Sequence, residues 1–78
     1  MSTWLLRVIL NHENSFWKFL SEKRDMEKTE SVFVRYYPHI QNPDDETGLR
    51  ICKHFQGIDS RTTCTVTKDK GLEVKLVV

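Results

Sequence analysis

A chain of 78 residues is one domain, and folding at this size buries only about 60% of the unfolded chain's surface, which excludes a deep enclosed active-site cavity. Hydrophobic residues make up 38% and charged residues 29%, a balance ordinary for a globular domain and too apolar for a disordered one. The net charge of +1 gives no global attraction to nucleic acid or to an anionic membrane, so any electrostatic role depends on how the charges are distributed.

Residues 4–10, Trp4-Leu5-Leu6-Arg7-Val8-Ile9-Leu10, are apolar on nearly both faces, the pattern of a strand inside a sheet. The run is interrupted by Arg7, lacks a small-residue cleavage site and is far short of the roughly 20 residues of a membrane span. Asn11-His12-Glu13-Asn14-Ser15 breaks the pattern and offers Asn14 and Ser15 as helix N-caps. From residue 16 to about residue 30, Phe16, Phe19 and Leu20 recur at helical spacing, with Lys23 and Met26 continuing the stripe and Trp17 on its flank. The Lys18–Glu22 and Lys23–Glu27 pairs have the less favourable orientation on a helix, so packing must hold this segment.

Residues 31–37 are β-branched and aromatic and stop at Pro38, which cannot donate to a ladder; they form a strand. Asn42-Pro43-Asp44-Asp45-Glu46-Thr47-Gly48 reads as a turn throughout. Residues 49–55, 61–67 and 72–78 then alternate, with Gly57 and Gly71 in the connections, as in an antiparallel meander. The expectation is a single α+β domain over residues 1–78 in the order βαββββ, with one amphipathic helix packed on one face of a mostly antiparallel four- to five-stranded sheet. Lys53 sits out of place in it, sharing the phase of Leu49, Ile51 and Phe55 unless it snorkels or a bulge shifts the register.

One helix covers one face, so the other stays open. Alternation puts Trp4, Leu6, Val8, Val32, Val34, Leu49, Ile51, Val66, Leu72, Val74 and Leu76 beneath the helix. It puts Leu5, Arg7, Ile9, Phe33, Arg35, Tyr37, Arg50, Cys52, His54, Thr63, Thr65, Glu73, Lys75 and Val77 on the open face. Cations that neutralise phosphates, beside rings that stack on bases, are what holds a single-stranded polyanion. Arg7, Phe33, Arg35, Tyr37, Arg50, His54 and Lys75 are therefore the expected contacts for RNA or single-stranded nucleic acid. The rival expectation is a protein-binding inhibitor or regulator of a larger enzyme, with a ribonucleoprotein target joining the two readings. It, or a homodimer, would use the apolar members Leu5, Ile9 and Phe33 of that face, or residues 72–78 as an edge strand.

No catalytic, metal or cofactor site is expected. His12, His39 and His54 lie in different segments with no nucleophile and base at a recognisable spacing. Cys52 and His54 lack the close second pair of a zinc site, and Asp44-Asp45-Glu46 lacks the alternating ligands and central glycine of a calcium loop. The two cysteines are too few for a disulfide scaffold and fall on opposite strand faces, so they are expected to point apart in a reduced, cytoplasmic protein.

Overall fold

The computed structural model describes residues 3–24 and 30–78, apart from the side chains of residues 3–5, 23 and 24. In chain order the elements are helix α1 (Thr3–Arg24), strand β1 (Val32–Tyr37), helix α2 (Glu46–Ile58), and strands β2 (Thr63–Thr67) and β3 (Gly71–Val77). The class is α+β, but the expected βαββββ order is corrected to αβαββ: the three strands form one antiparallel sheet in the order β1-β3-β2.

Residues 4–10 belong to α1, not to a strand. Nothing in the first 24 residues is a Gly or Pro, so Asn11-His12-Glu13-Asn14-Ser15 has no residue able to stop a helix. The Ser15 hydroxyl donates back to the Asn11 carbonyl instead of capping a new helix. With the segment continuous, Ile9 and Phe16 are buried two turns apart, while Phe19 and Leu20 pack partly against the same core. The expected continuation through Met26 and the Lys23–Glu27 pair lies outside the described residues.

Residues 49–55 likewise belong to a helix. Asp45 caps it, its side chain accepting from the backbone N–H groups of Thr47 and Gly48 at 2.8 and 3.3 Å, and Glu46 adds a negative charge to the first turn. The run of acidic residues is thus a helix start as much as a turn. On α2 the buried set is Gly48, Ile51 and Phe55, whereas Leu49 and Lys53, which a strand phase groups with them, are exposed. The Lys53 conflict disappears with the strand.

Both helices lie on one face of the sheet. Phe16 meets the Phe33 ring edge-on at 5.0 Å and the Phe55 ring at 5.3 Å, joining α1, β1 and α2 at one point. Leu72, Val74 and Leu76 of the central strand β3 complete the core beneath them. Gly71 begins β3 at φ +73°, and a Cβ there would collide with the Tyr37 carbonyl and come within 2.7 Å of Pro38 Cα.

The cysteines do not point apart: Cys52 of α2 and Cys64 of β2 form a disulfide across a sequence separation of 12, with Cα atoms 6.1 Å apart. Turning residues 49–55 into a helix rotates Cys52 onto the side that meets β2, while Cys64 keeps its expected core-facing phase beside Val74. A closed loop of this size removes about 3 kcal/mol of unfolded-chain entropy. The double variant Cys52→Ser/Cys64→Ser should unfold at lower urea concentration, with a loss of about 2–4 kcal/mol. Equal stability of the parent chain with and without reductant would contradict the bridge.

Candidate functional site

The seven residues expected to share a nucleic-acid surface do not share one. The register pairs Phe33 with Leu76, Arg35 with Val74 and Tyr37 with Leu72, so these three β1 residues lie on the helix-covered face. Phe33 and Tyr37 are only 4% and 3% exposed and cannot receive bases. The phase assignment is corrected because α1 supplies ring partners for this face, Phe16 and Phe19 for Phe33 and His12 for Tyr37. Arg7 is exposed on α1 and Arg50 and His54 on α2. Only Lys75 occupies the open sheet face as expected. Ile9 is buried on α1, and the Leu5 side chain lies outside the description.

Arg50 and His54 are also engaged in pairs within the helical layer. Arg50 Nη2 donates to Glu46 Oε1 at 2.8 Å, one helical turn back. His54 Nε2 lies 3.1 Å from Glu13 Oε2, linking α2 to α1, and Trp17 Nε1 donates to the other oxygen of Glu13 at 3.4 Å. Below this pair an apolar groove of about 280 Å³ runs between the helices over Ile9 and Ile51, with Leu6 and Leu10 on its wall.

The uncovered side of the sheet has a different composition from the one expected. Its cross-strand rows are Val32 with Val77, then Val34 with Lys75 and Thr63, then Tyr36 with Glu73 and Thr65. Val32, Tyr36 and Val77 are 49%, 39% and 41% exposed, and both described helices lie on the opposite face. Lys75 and Glu73 offset one another in charge, and Lys70 Nζ lies 5.3 Å above the Tyr36 ring. This is an apolar and threonine-rich surface rather than a cationic one.

Among the described residues the free edges are also displaced from the expected place. Strand β3, which as residues 72–78 was the candidate edge, is central and paired on both sides, leaving β1 and β2 at the margins. Ser31 and Val78 exchange both backbone hydrogen bonds, each at 3.0 Å. In an antiparallel ladder bonded pairs alternate, so the backbone groups of Val32, Val34 and Tyr36 point away from the sheet. Beside this edge, Val32, Phe33, Val34 and Arg35 form one wall of an open cleft of about 420 Å³, and Ser15, Lys18, Phe19 and Glu22 of α1 form the other.

A polar cluster closes the α1–β1 contact. His12 Nδ1 and the Tyr37 hydroxyl are 2.8 Å apart, the rings meet edge-on at 5.1 Å, and Arg35 lies close enough to bias both groups. Burial lowers the His12 pKa and Arg35 lowers it further; burial raises that of Tyr37, with Arg35 partly opposing. The pair satisfies a buried phenol and orients α1, while His54 is engaged elsewhere with Glu13. Among the described residues no three His, Cys, Asp or Glu side chains are grouped so as to hold a metal ion. Comparison with known families, with curated proteins and with solved structures finds no match to this chain.

The His12 shift has a defined pH consequence. The folded chain protonates His12 below its ordinary value of 6.5, so the unfolded chain binds the proton first as pH falls. Stability should therefore decline as pH drops below about 6.5 and level off under the folded value. The decline measured by urea unfolding between pH 7 and pH 5 should be shallower in His12→Gln; parallel curves would contradict this coupling.

Proposed function

We propose that this chain is a small non-enzymatic protein-binding module, a regulator or inhibitor of a larger partner, which it contacts through the open sheet face and the adjoining β1 edge. One observation carries the reading: Val32, Val34, Tyr36 and Val77 are neighbours in register, and three of the four are substantially exposed. A contiguous apolar patch on a small domain marks a contact surface more often than single exposed side chains do. Tyr36 supplies a large ring with few rotatable bonds, a residue type enriched at interfaces. The threonines of β2 offer hydroxyls around the patch without adding charge.

Less supports the nucleic-acid reading, since Phe33 and Tyr37 are buried under α1 and, among the described residues, Lys75 of the open face stands beside Glu73 with Lys70 over the Tyr36 ring. No described helix is long and apolar enough to cross a membrane. The disulfide favours an oxidising compartment over the cytoplasm, because bridges in small domains form and persist there.

Replacing Tyr36 by a photoreactive benzophenone phenylalanine keeps an aromatic ring at the patch and reports what touches it. Irradiation in the native source should give one stoichiometric protein adduct, resistant to nuclease. An adduct that nuclease digests and protease leaves intact would overturn the proposal.

A further inference from the structure

The cleft between α1 and the free edge of β1 has the layout of a strand-accepting groove. One wall is the β1 edge: Val32 and Val34 direct N–H and C=O groups outward at a repeat of roughly 7 Å, twice the rise per residue, and Tyr36 continues the row beyond the cleft. The other wall is a single face of α1, with Ser15, Lys18, Phe19 and Glu22 at positions i, i+3, i+4 and i+7. An extended peptide laid between a sheet edge and a helix gains main-chain hydrogen bonds from the edge and side-chain selection from the helix.

Arg35 decides what kind of peptide. Its Nη1 donates to the Val34 carbonyl at 2.8 Å, and its guanidinium lies 4.6 Å from the centre of the Phe33 ring. A cation folded onto an outward carbonyl is a guard on the edge, one of the ways a sheet avoids unwanted pairing. An incoming strand that uses the Val34 carbonyl displaces the guanidinium, which then needs another acceptor. A carboxylate on the incoming strand supplies one, in the bidentate geometry that arginine prefers, with Lys18 across the cleft adding to the attraction. A neutral strand displaces Arg35 without that return, and a basic strand meets two cations against the single carboxylate of Glu22. A second copy of this chain is a poor occupant, because Val32-Phe33-Val34-Arg35-Tyr36-Tyr37 contains no carboxylate to receive the partner copy's Arg35.

We propose that the β1 edge binds an extended acidic segment of a partner protein by strand addition, with Arg35 and Lys18 selecting a carboxylate. This rests on the protein-binding reading above and narrows it to one edge and one class of segment. Displayed random heptapeptides selected on the disulfide-bonded chain provide the probes, and the enriched peptides are then titrated into nitrogen-15-labelled protein. The enriched peptides should carry Asp or Glu, shift the amides of Val32 and Val34 and slow their hydrogen exchange. Arg35→Glu should weaken their binding at least tenfold. Lys18→Glu, an exposed change on α1 away from the core, should weaken it in the same direction if Arg35→Glu compromises folding.

Peptides that move Thr63, Thr65 and Val77 while leaving Val32 and Val34 unchanged would overturn the edge inference and leave the broader reading standing. Enrichment of neutral or basic peptides, an absence of enriched peptides, or a free chain that dimerises through β1 would overturn it as well.

Discussion

Phe33 and Tyr37 occupy the buried side of β1, and the orientation of the whole sheet follows from that choice. Strand β1 carries apolar side chains on both faces, so either side could in principle meet the helices. On the buried side α1 supplies matching partners for the two rings in Phe16, Phe19 and His12. Once this face is down, the pleat sends Val32, Val34 and Tyr36 to the other side, and pairing with β3 brings Val77 and Lys75 beside them. The packing that stabilises the domain thereby creates its exposed apolar patch.

The second helix is held by more local means. The Asp45 cap starts α2, Ile51 and Phe55 bury its inner face, and the Cys52–Cys64 bridge ties it to an edge strand of only five residues. That strand pairs on one side only, so a covalent link to the helical layer compensates for the ladder it lacks. The close passage of Gly71 under the Tyr37 carbonyl brings the start of β3 against the end of β1. The result is a platform that, among the described residues, has one uncovered side and two unequal margins. At the β1 margin, Arg35 occupies an outward carbonyl, that of Val34.

The strands at 32–37, 63–67 and 71–77 were legible because β-branched alternation bounded by Pro38 and Gly71 has few other interpretations. So was the helical stripe of Phe16, Phe19 and Leu20. The other two segments were ambiguous for physical reasons. Residues 4–10 are apolar nearly all round, which fits a buried strand or one stretch of a longer helix, and only the lack of any Gly or Pro up to residue 24 favoured the helix. In residues 49–55, Leu49, Ile51 and Phe55 match period two by coincidence; the decisive signs were Lys53 out of phase, Asp45 followed by Glu46, and Ile58 continuing the helical spacing. The site suffered most, because Arg35 in β1 suggested a solvent-facing phase when its guanidinium in fact curls around the margin from the buried side.

Tyr36 and Tyr37 are adjacent in the chain and sit on opposite faces of one strand, which makes them an internal comparison for the placement of the sheet. Nitration of the folded chain with tetranitromethane, read by peptide mass, should modify Tyr36, 39% exposed, and spare Tyr37, 3% exposed, with both reacting after unfolding. Rapid modification of Tyr37 with Tyr36 protected would mean that the face of Val32, Val34 and Tyr36 meets the helices, and the account of both the core and the proposed contact surface would be wrong.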